Sequence, residues 1–207
     1  MSLTLIQPQE GAAAPAALPV YPGIAFAAIT LVDSPARAAQ ALAELMAGDA
    51  IGFDTESKPT FVKGEVSSGP HLVQLAAEQK VFLFPINRTL DTDVLKTILE
   101  APQLLKVGFG LGNDRSALKS RLDIELNNVL DLGEVLRGPW HRGTVGAKTA
   151  VQHFFGQRFQ KSKHVGTSNW ASARLTERQQ LYAANDAHAA LRVYRAWCHA
   201  GETVKPL

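Results

Sequence analysis

The chain has 207 residues, 46% hydrophobic and 19% charged, with a formal net charge of +2, the make-up of one soluble globular domain with a core of its own. Its single cysteine, Cys198, excludes an intramolecular disulfide, fits a reducing compartment and reads as a packing residue late in a helix. No apolar run is long enough to cross a bilayer and no basic-then-apolar signal opens the chain, so the cytoplasm is the expected compartment.

Residues 1–23 are rich in Ala, Pro and Gly without a period, and predict a flexible or extended leader ahead of one folded domain over 24–207. Residues 26–32 suit an edge strand. Ser34 and Pro35 then offer a cap and a first-turn proline. The helix they open puts Ala38, Leu42, Leu45 and Met46 on one face and stops at Gly48. IGFDTE, residues 51–56, predicts a strand, and the polar loop 57–70 after it is of a length that is often functional. Residues 71–76 and 80–85 predict a hairpin. Next come a helix at 91–99, a strand at 104–109 and a helix at 113–121. A short strand at 129–131 leads into a helix through Arg137, and a further helix at 149–155 is ended by Gly156. Thr176 caps a long last helix whose apolar residues include Leu181, Ala184, Leu191 and Trp197. Antiparallel strands first, then strands alternating with helices, predict one α/β domain: a mixed sheet flanked by helices.

Side chains alternate along a strand, so Asp54 and Glu56 share a face and Thr55 takes the other. Neighbouring carboxylates repel unless a cation lies between them, and hard oxygen donors suit Mg²⁺ or Mn²⁺. A strand that merely ends in polar residues fits the same letters. Two further segments carry candidates. Asp114 stands in KVGFGLGNDRSAL, where a strand passes through glycines into a helix. Asp186 stands mid-helix among alanines in YAANDAHAALRVY, with Tyr182 one turn earlier on the same face. A carboxylate buried there is costly unless paired or bound to metal. Four carboxylates from three segments suffice for two divalent cations, and such a pair can activate water and stabilise the leaving oxygen in phosphodiester cleavage. Tyr182 is placed to orient that water.

The charge distribution adds to this. Arg137, Arg142, Lys148, Arg158, Lys161, Lys163, Arg174 and Arg178 face only Glu177 between residues 137 and 178. A positive field beside a carboxylate cluster suits a polyanion, although a solvated basic face has the same composition. The loop 57–70 and the segment 161–169 are expected to flank the groove by which substrate arrives.

The spacing Gly108-x-Gly110-x-Gly112 resembles a dinucleotide fingerprint, but the third glycine is one position early and no β-α-β half precedes it. Zinc is disfavoured, because six histidines are scattered and one cysteine builds no thiolate cluster. A metal-free nucleic-acid-binding module would use the basic stretch with Trp170, Phe154, Phe155 and Phe159, yet it gains nothing from negative charge where phosphates must sit.

The segments FDTE, VGFGLGND and YAANDA resemble the three motifs of DEDD-type 3′–5′ exonucleases, in the tyrosine-bearing branch that includes ribonuclease D and the Werner syndrome protein's exonuclease domain. DTESKPTF and SNWASARLTERQQLYAANDAHAALRVY support the Werner-like subgroup, and the likeness covers residues 24–199. The glycine-rich approach to Asp114 departs from the His-containing version in ribonuclease D itself. The resemblance implies an RNase-H-like fold and two divalent cations, Mg²⁺ or Mn²⁺. It implies a metal-binding quartet of Asp54, Glu56, Asp114 and Asp186, with Asp54 shared between both ions and Tyr182 positioning the nucleophilic water. The implied partner is DNA or RNA with a free 3′ end; no membrane and no obligate protein partner is inferred. Thr55, Ser57, Lys161, Lys163 and Asn169 are the expected nucleic-acid contacts.

Overall fold

The computed structural model describes residues 17–60, 64–86, 92–138 and 143–201. Most of the expected leader, together with Asp91 and Arg142, lies outside them. The last part of that leader is not free. Val20 bridges Arg158, Arg158 N donates to Pro19 O at 2.8 Å, and Tyr21 stacks on Phe155 with ring centres 5.9 Å apart. An aromatic ring with a packing partner is enough to anchor a short aperiodic segment.

Among the described residues six strands form one sheet in the order β1-β4-β3-β2-β5-β6. They are β1 (Ile29–Leu31), β2 (Ala50–Glu56), β3 (Leu72–Ala76), β4 (Val81–Pro85), β5 (Leu105–Gly108) and β6 (Val129–Asp131). β2, β3 and β4 are antiparallel neighbours, while β5 runs parallel to β2 and β6 parallel to β5. The first strand departs from the expected antiparallel succession, because β1 pairs with β4 in parallel. The cause is the connection: α1 (Pro35–Met46) carries the chain across a face of the sheet and returns it in the same direction. The strand expected over 26–32 is also shorter, since Phe26–Ala28 forms a 3₁₀ turn first.

One face of the sheet is covered by α1, α2 (Thr92–Glu100) and α3 (Gly112–Leu122), around Phe53, Val73, Leu75, Phe82 and Phe84. The other face carries α5 (Ala147–Phe155), α6 (Lys163–Gly166) and the long α7 (Glu177–His199), against Leu72, Ala76, Leu83, Val107 and Leu130. The helix after β6, α4 (Leu132–Val135), stops before Arg137 because Leu136 already leaves helical geometry. α6 was not foreseen; Ser162 caps it through Val165 N.

α7 positions the site. Thr176 and Gln179 form a capping box that fixes its start. Its inward face is alanine-rich, with Ala183, Ala184, Ala187 and Ala190 all buried, which lets it lie directly on β2. A Cβ at Gly52 would stand 1.9 Å from the Ala187 carbonyl oxygen, so only glycine fits beneath the helix. Cys198, expected to pack, is exposed; Trp197 takes the inward position beside it.

Candidate active site

β2 presents Asp54 and Glu56 on the face covered by α7, with Gln74 and Leu72 of β3 opposite them in register. Thr55 lies between them and points to the other layer, as strand alternation requires. There its hydroxyl donates to Oδ1 of Asp114, near the start of α3. Asp114 therefore approaches from the opposite face of the sheet and is clipped to β2. Asp54 is steadied by Thr55 N, which donates to its Oδ1 at 2.9 Å.

Sequence reasoning missed Asp131. Its carboxylate accepts from Gly110 N at 2.9 Å, Leu111 N at 2.8 Å and Gly133 N at 2.8 Å. One carboxylate thus clamps two amides of the β5–α3 turn, just ahead of Asp114, to the start of α4. Gly110 sits at φ +73° inside that turn, in the left-handed region that glycine occupies without cost. The available signal was Asp131-Leu132-Gly133, an acidic cap residue at a strand end.

α7 supplies Asp186, which is 5% exposed. Neither of its oxygens has a hydrogen-bonded partner. Lys161 Nζ stands 2.9 Å from Oδ2; this is an ion pair by distance whose alignment falls short of a hydrogen bond. The same ammonium lies 5.7 Å from the centre of the Tyr182 ring. Tyr182, one turn before Asp186, is backed by Trp170 with ring centres 6.0 Å apart. Trp170 is itself buried and donates its indole N–H to Gly166 O at 3.1 Å. A Cβ at Gly166 would come within 2.7 Å of the Tyr182 hydroxyl, so that glycine sets the room the phenol has.

Burial and mutual repulsion hold these acids protonated above their ordinary range. Burial pushes Asp54 well up, with Asp186 and Asp114 adding to it. Glu56 is pushed up to about 9 by burial, then by Asp54 and Asp186. Burial raises Asp186 to about 6 against the pull of Lys161, and raises Asp114 against the Thr55 hydrogen bond. Tyr182 rises to about 12 through burial and Asp186. Burial alone would lower Lys161, but Asp186 and Asp54 outweigh it and keep the ammonium charged. Carboxyls raised in this way mark a place where negative charge is stored without enough counter-charge.

The residues suit hard divalent cations in donor type and in the buried oxygens of Asp186 that lack a hydrogen-bonded partner. The expected cage is nevertheless not drawn tight. Among the described residues no three His, Cys, Asp or Glu side chains group closely enough to hold a metal ion as they stand. Lys161 provides the positive charge there instead.

A cavity of about 310 Å³ opens at the site, lined by Asp54, Asp186, Lys161, Phe109, Gly110 and the 144–147 segment. Of the expected nucleic-acid contacts only Lys161 borders it. Thr55 turns its hydroxyl to Asp114. Ser57 packs at the base of its loop, where a Cβ on Gly69 would meet its Oγ at 2.1 Å. Lys163 is exposed on α6, and Asn169 uses its side-chain oxygen to accept from Ala171 N at 3.1 Å. A larger hollow of about 590 Å³ runs along α3 past Arg115 and Lys119, but no member of the carboxylate quartet lines it.

A mixed sheet with acidic residues gathered at the end of its central strand and under a long C-terminal helix defines an RNase-H-like nuclease domain. The chain belongs to the 3′–5′ exonuclease family, whose sequence profile matches residues 29–197, in the DEDD-type branch shared with ribonuclease D and the Werner protein. It is 32% identical over 160 residues to the mouse bifunctional 3′–5′ exonuclease/ATP-dependent helicase WRN, an alignment covering 76% of this chain and 11% of that protein. It is 30% identical over 193 residues to the exonuclease mut-7 homolog of Aedes aegypti, covering 81% of this chain and 26% of the relative. The chain thus spans only a small part of the curated relatives it matches first. Among solved structures, the Aedes aegypti Nibbler EXO domain superposes with a TM-score of 0.72 at 25% identity, covering 86% of this chain and 92% of that one. Escherichia coli RNase D shares the fold, with a TM-score of 0.71 at 21% identity over 84% of this chain and 46% of that one.

Proposed function

We propose that this chain is a metal-dependent 3′–5′ exonuclease that hydrolyses phosphodiester bonds at a free 3′ end of DNA or RNA and releases nucleoside 5′-monophosphates. What supports this reading is electrostatic: Asp54 feels the charges of Asp186 and Asp114, Glu56 feels all three, and the buried Asp186 oxygens lack a hydrogen-bonded partner. Two divalent cations, Mg²⁺ or Mn²⁺, would be held by these four carboxylates and would supply Lewis-acid activation of water and neutralisation of charge on the phosphate.

The chain's own residues do the rest. The carboxylates bind and must shed their protons to do so, which their raised affinity for protons opposes at low pH. Thr55 orients Asp114 through its hydrogen bond, and Asp131 fixes the turn that leads into α3. Tyr182 holds the attacking water through its phenol, which the Trp170 ring and the backbone at Gly166 keep in place. The cavity gives the terminal nucleotide a wall that pairs the aromatic Phe109 with the bare backbone of Gly110.

The test is digestion of matched, 5′-labelled DNA and RNA single strands with Mg²⁺ or Mn²⁺, and of the same strands by Asp54→Asn and Asp186→Asn. Stepwise shortening from the 3′ end, lost in both variants with circular dichroism unchanged, is the expected result. Near-normal digestion by either variant refutes the assignment.

A further inference from the structure

We propose that Lys161 is an internal counter-cation for Asp186, which it surrenders to an incoming divalent ion; this rests on reading the carboxylate quartet as metal ligands. The Asp186 side chain is 4% exposed and that of Lys161 32%. A carboxylate so buried is costly unless a positive charge stands beside it. Lys161 Nζ is that charge, 2.9 Å from Oδ2. Among the described residues it is the sole cationic group within ion-pair distance of any quartet member.

The pairing is built to be reversible. Lys161 stands just ahead of α6, outside any helix or strand. Its head crosses the Tyr182 ring at 5.7 Å and borders the open cavity, so a path to solvent adjoins its paired position. Asp186 is its only carboxylate within 4 Å among the described residues. The contact to Oδ2 is also poorly aligned, with both Asp186 oxygens lacking a hydrogen-bonded partner. A hard divalent ion bound to the same oxygen outcompetes an ammonium by its charge and leaves it no place there. Lys161 thus keeps the acidic site from repelling itself apart before metal arrives, at the cost of weakening metal binding. A role in contacting nucleic acid, which sequence alone suggested, comes second to this one.

The experiment is calorimetric titration of Mn²⁺ into the full chain and into Lys161→Met, with thermal unfolding of both in EDTA. The Met variant should bind Mn²⁺ about tenfold more tightly, because no ammonium has to leave. It should melt lower in EDTA, and Mn²⁺ should raise its Tm by more than it raises that of the unaltered chain. In an Asp186→Asn background, Lys161→Met should no longer lower the Tm in EDTA. Lys161→Gln repeats the comparison should the Met variant fold poorly. Equal or weaker Mn²⁺ binding by both variants, beside clear binding by the unaltered chain, overturns this proposal alone. No Mn²⁺ binding by the unaltered chain overturns the metal-dependent reading and this proposal with it.

Discussion

The hydroxyl of Thr55 donates to Oδ1 of Asp114, 59 positions further along the chain, and so ties a central strand to a helix on the far side of its sheet. Thr55→Val keeps the shape and removes the donor. Loss of an oriented carboxylate of this kind costs about 10–100-fold in metal affinity or activity. We expect turnover to fall by that amount and the Mg²⁺ concentration for half-maximal rate to rise, with stability lower by only about 1 kcal/mol. A rate unchanged at every Mg²⁺ concentration would show that Asp114 needs no such tether.

Tyr182 is confined by Gly166 and Trp170. Removing its hydroxyl in Tyr182→Phe should lower kcat about 100-fold while leaving Mn²⁺ affinity within about twofold. Gly166→Ala should act in the same direction, since the added methyl would stand 2.7 Å from the phenolic oxygen and push it aside. If Tyr182→Phe instead loses Mn²⁺ affinity, the ring supports Asp186 and does not handle water.

Glu56 makes the metal-free fold sensitive to pH. Its carboxyl titrates near 4.5 when unfolded and about 9 in the folded chain. Between those values the native state holds a proton that the unfolded chain has released, so stability falls as pH rises through the window. Tm measured in EDTA should therefore drop from pH 5.5 to 8.5, and Glu56→Gln should flatten the slope. The same slope in the variant would assign the effect to other groups.

Asp131 holds two backbone amides of the turn before α3 and a third, Gly133 N, at the start of α4. Asp131→Ala leaves all three without this partner and should destabilise the chain by about 3 kcal/mol. Activity should fall further than stability explains, because Asp114 is carried by that turn. Full activity in the surviving folded fraction would separate the turn from the chemistry.

The Asp54–Glu56 strand was legible because alternation and burial act within a few neighbouring residues. Asp186 was legible because a carboxylate amid small apolar residues on one helix contradicts ordinary burial. The direction of β1 was not, since it depends on which way α1 crosses the sheet. Nor was α6, a single turn of four residues too short to show a period. Lys161 was visible as charge only. Its side chain leaves an irregular segment, where no periodicity states which way it points. Asp131 looked like the end of a strand, because the amides it gathers come from 20 residues earlier as well as from its own helix start.

Gly52 lies bare beneath the Ala187 carbonyl, so β2 and α7 meet backbone to backbone at that crossing. Such a joint has no side chain to flex, so the helix that carries Asp186 is seated directly on the strand that carries Asp54. Any accommodation of ions of different radius must then fall to the groups reached from the far layer and the loops, with Asp114 first among them.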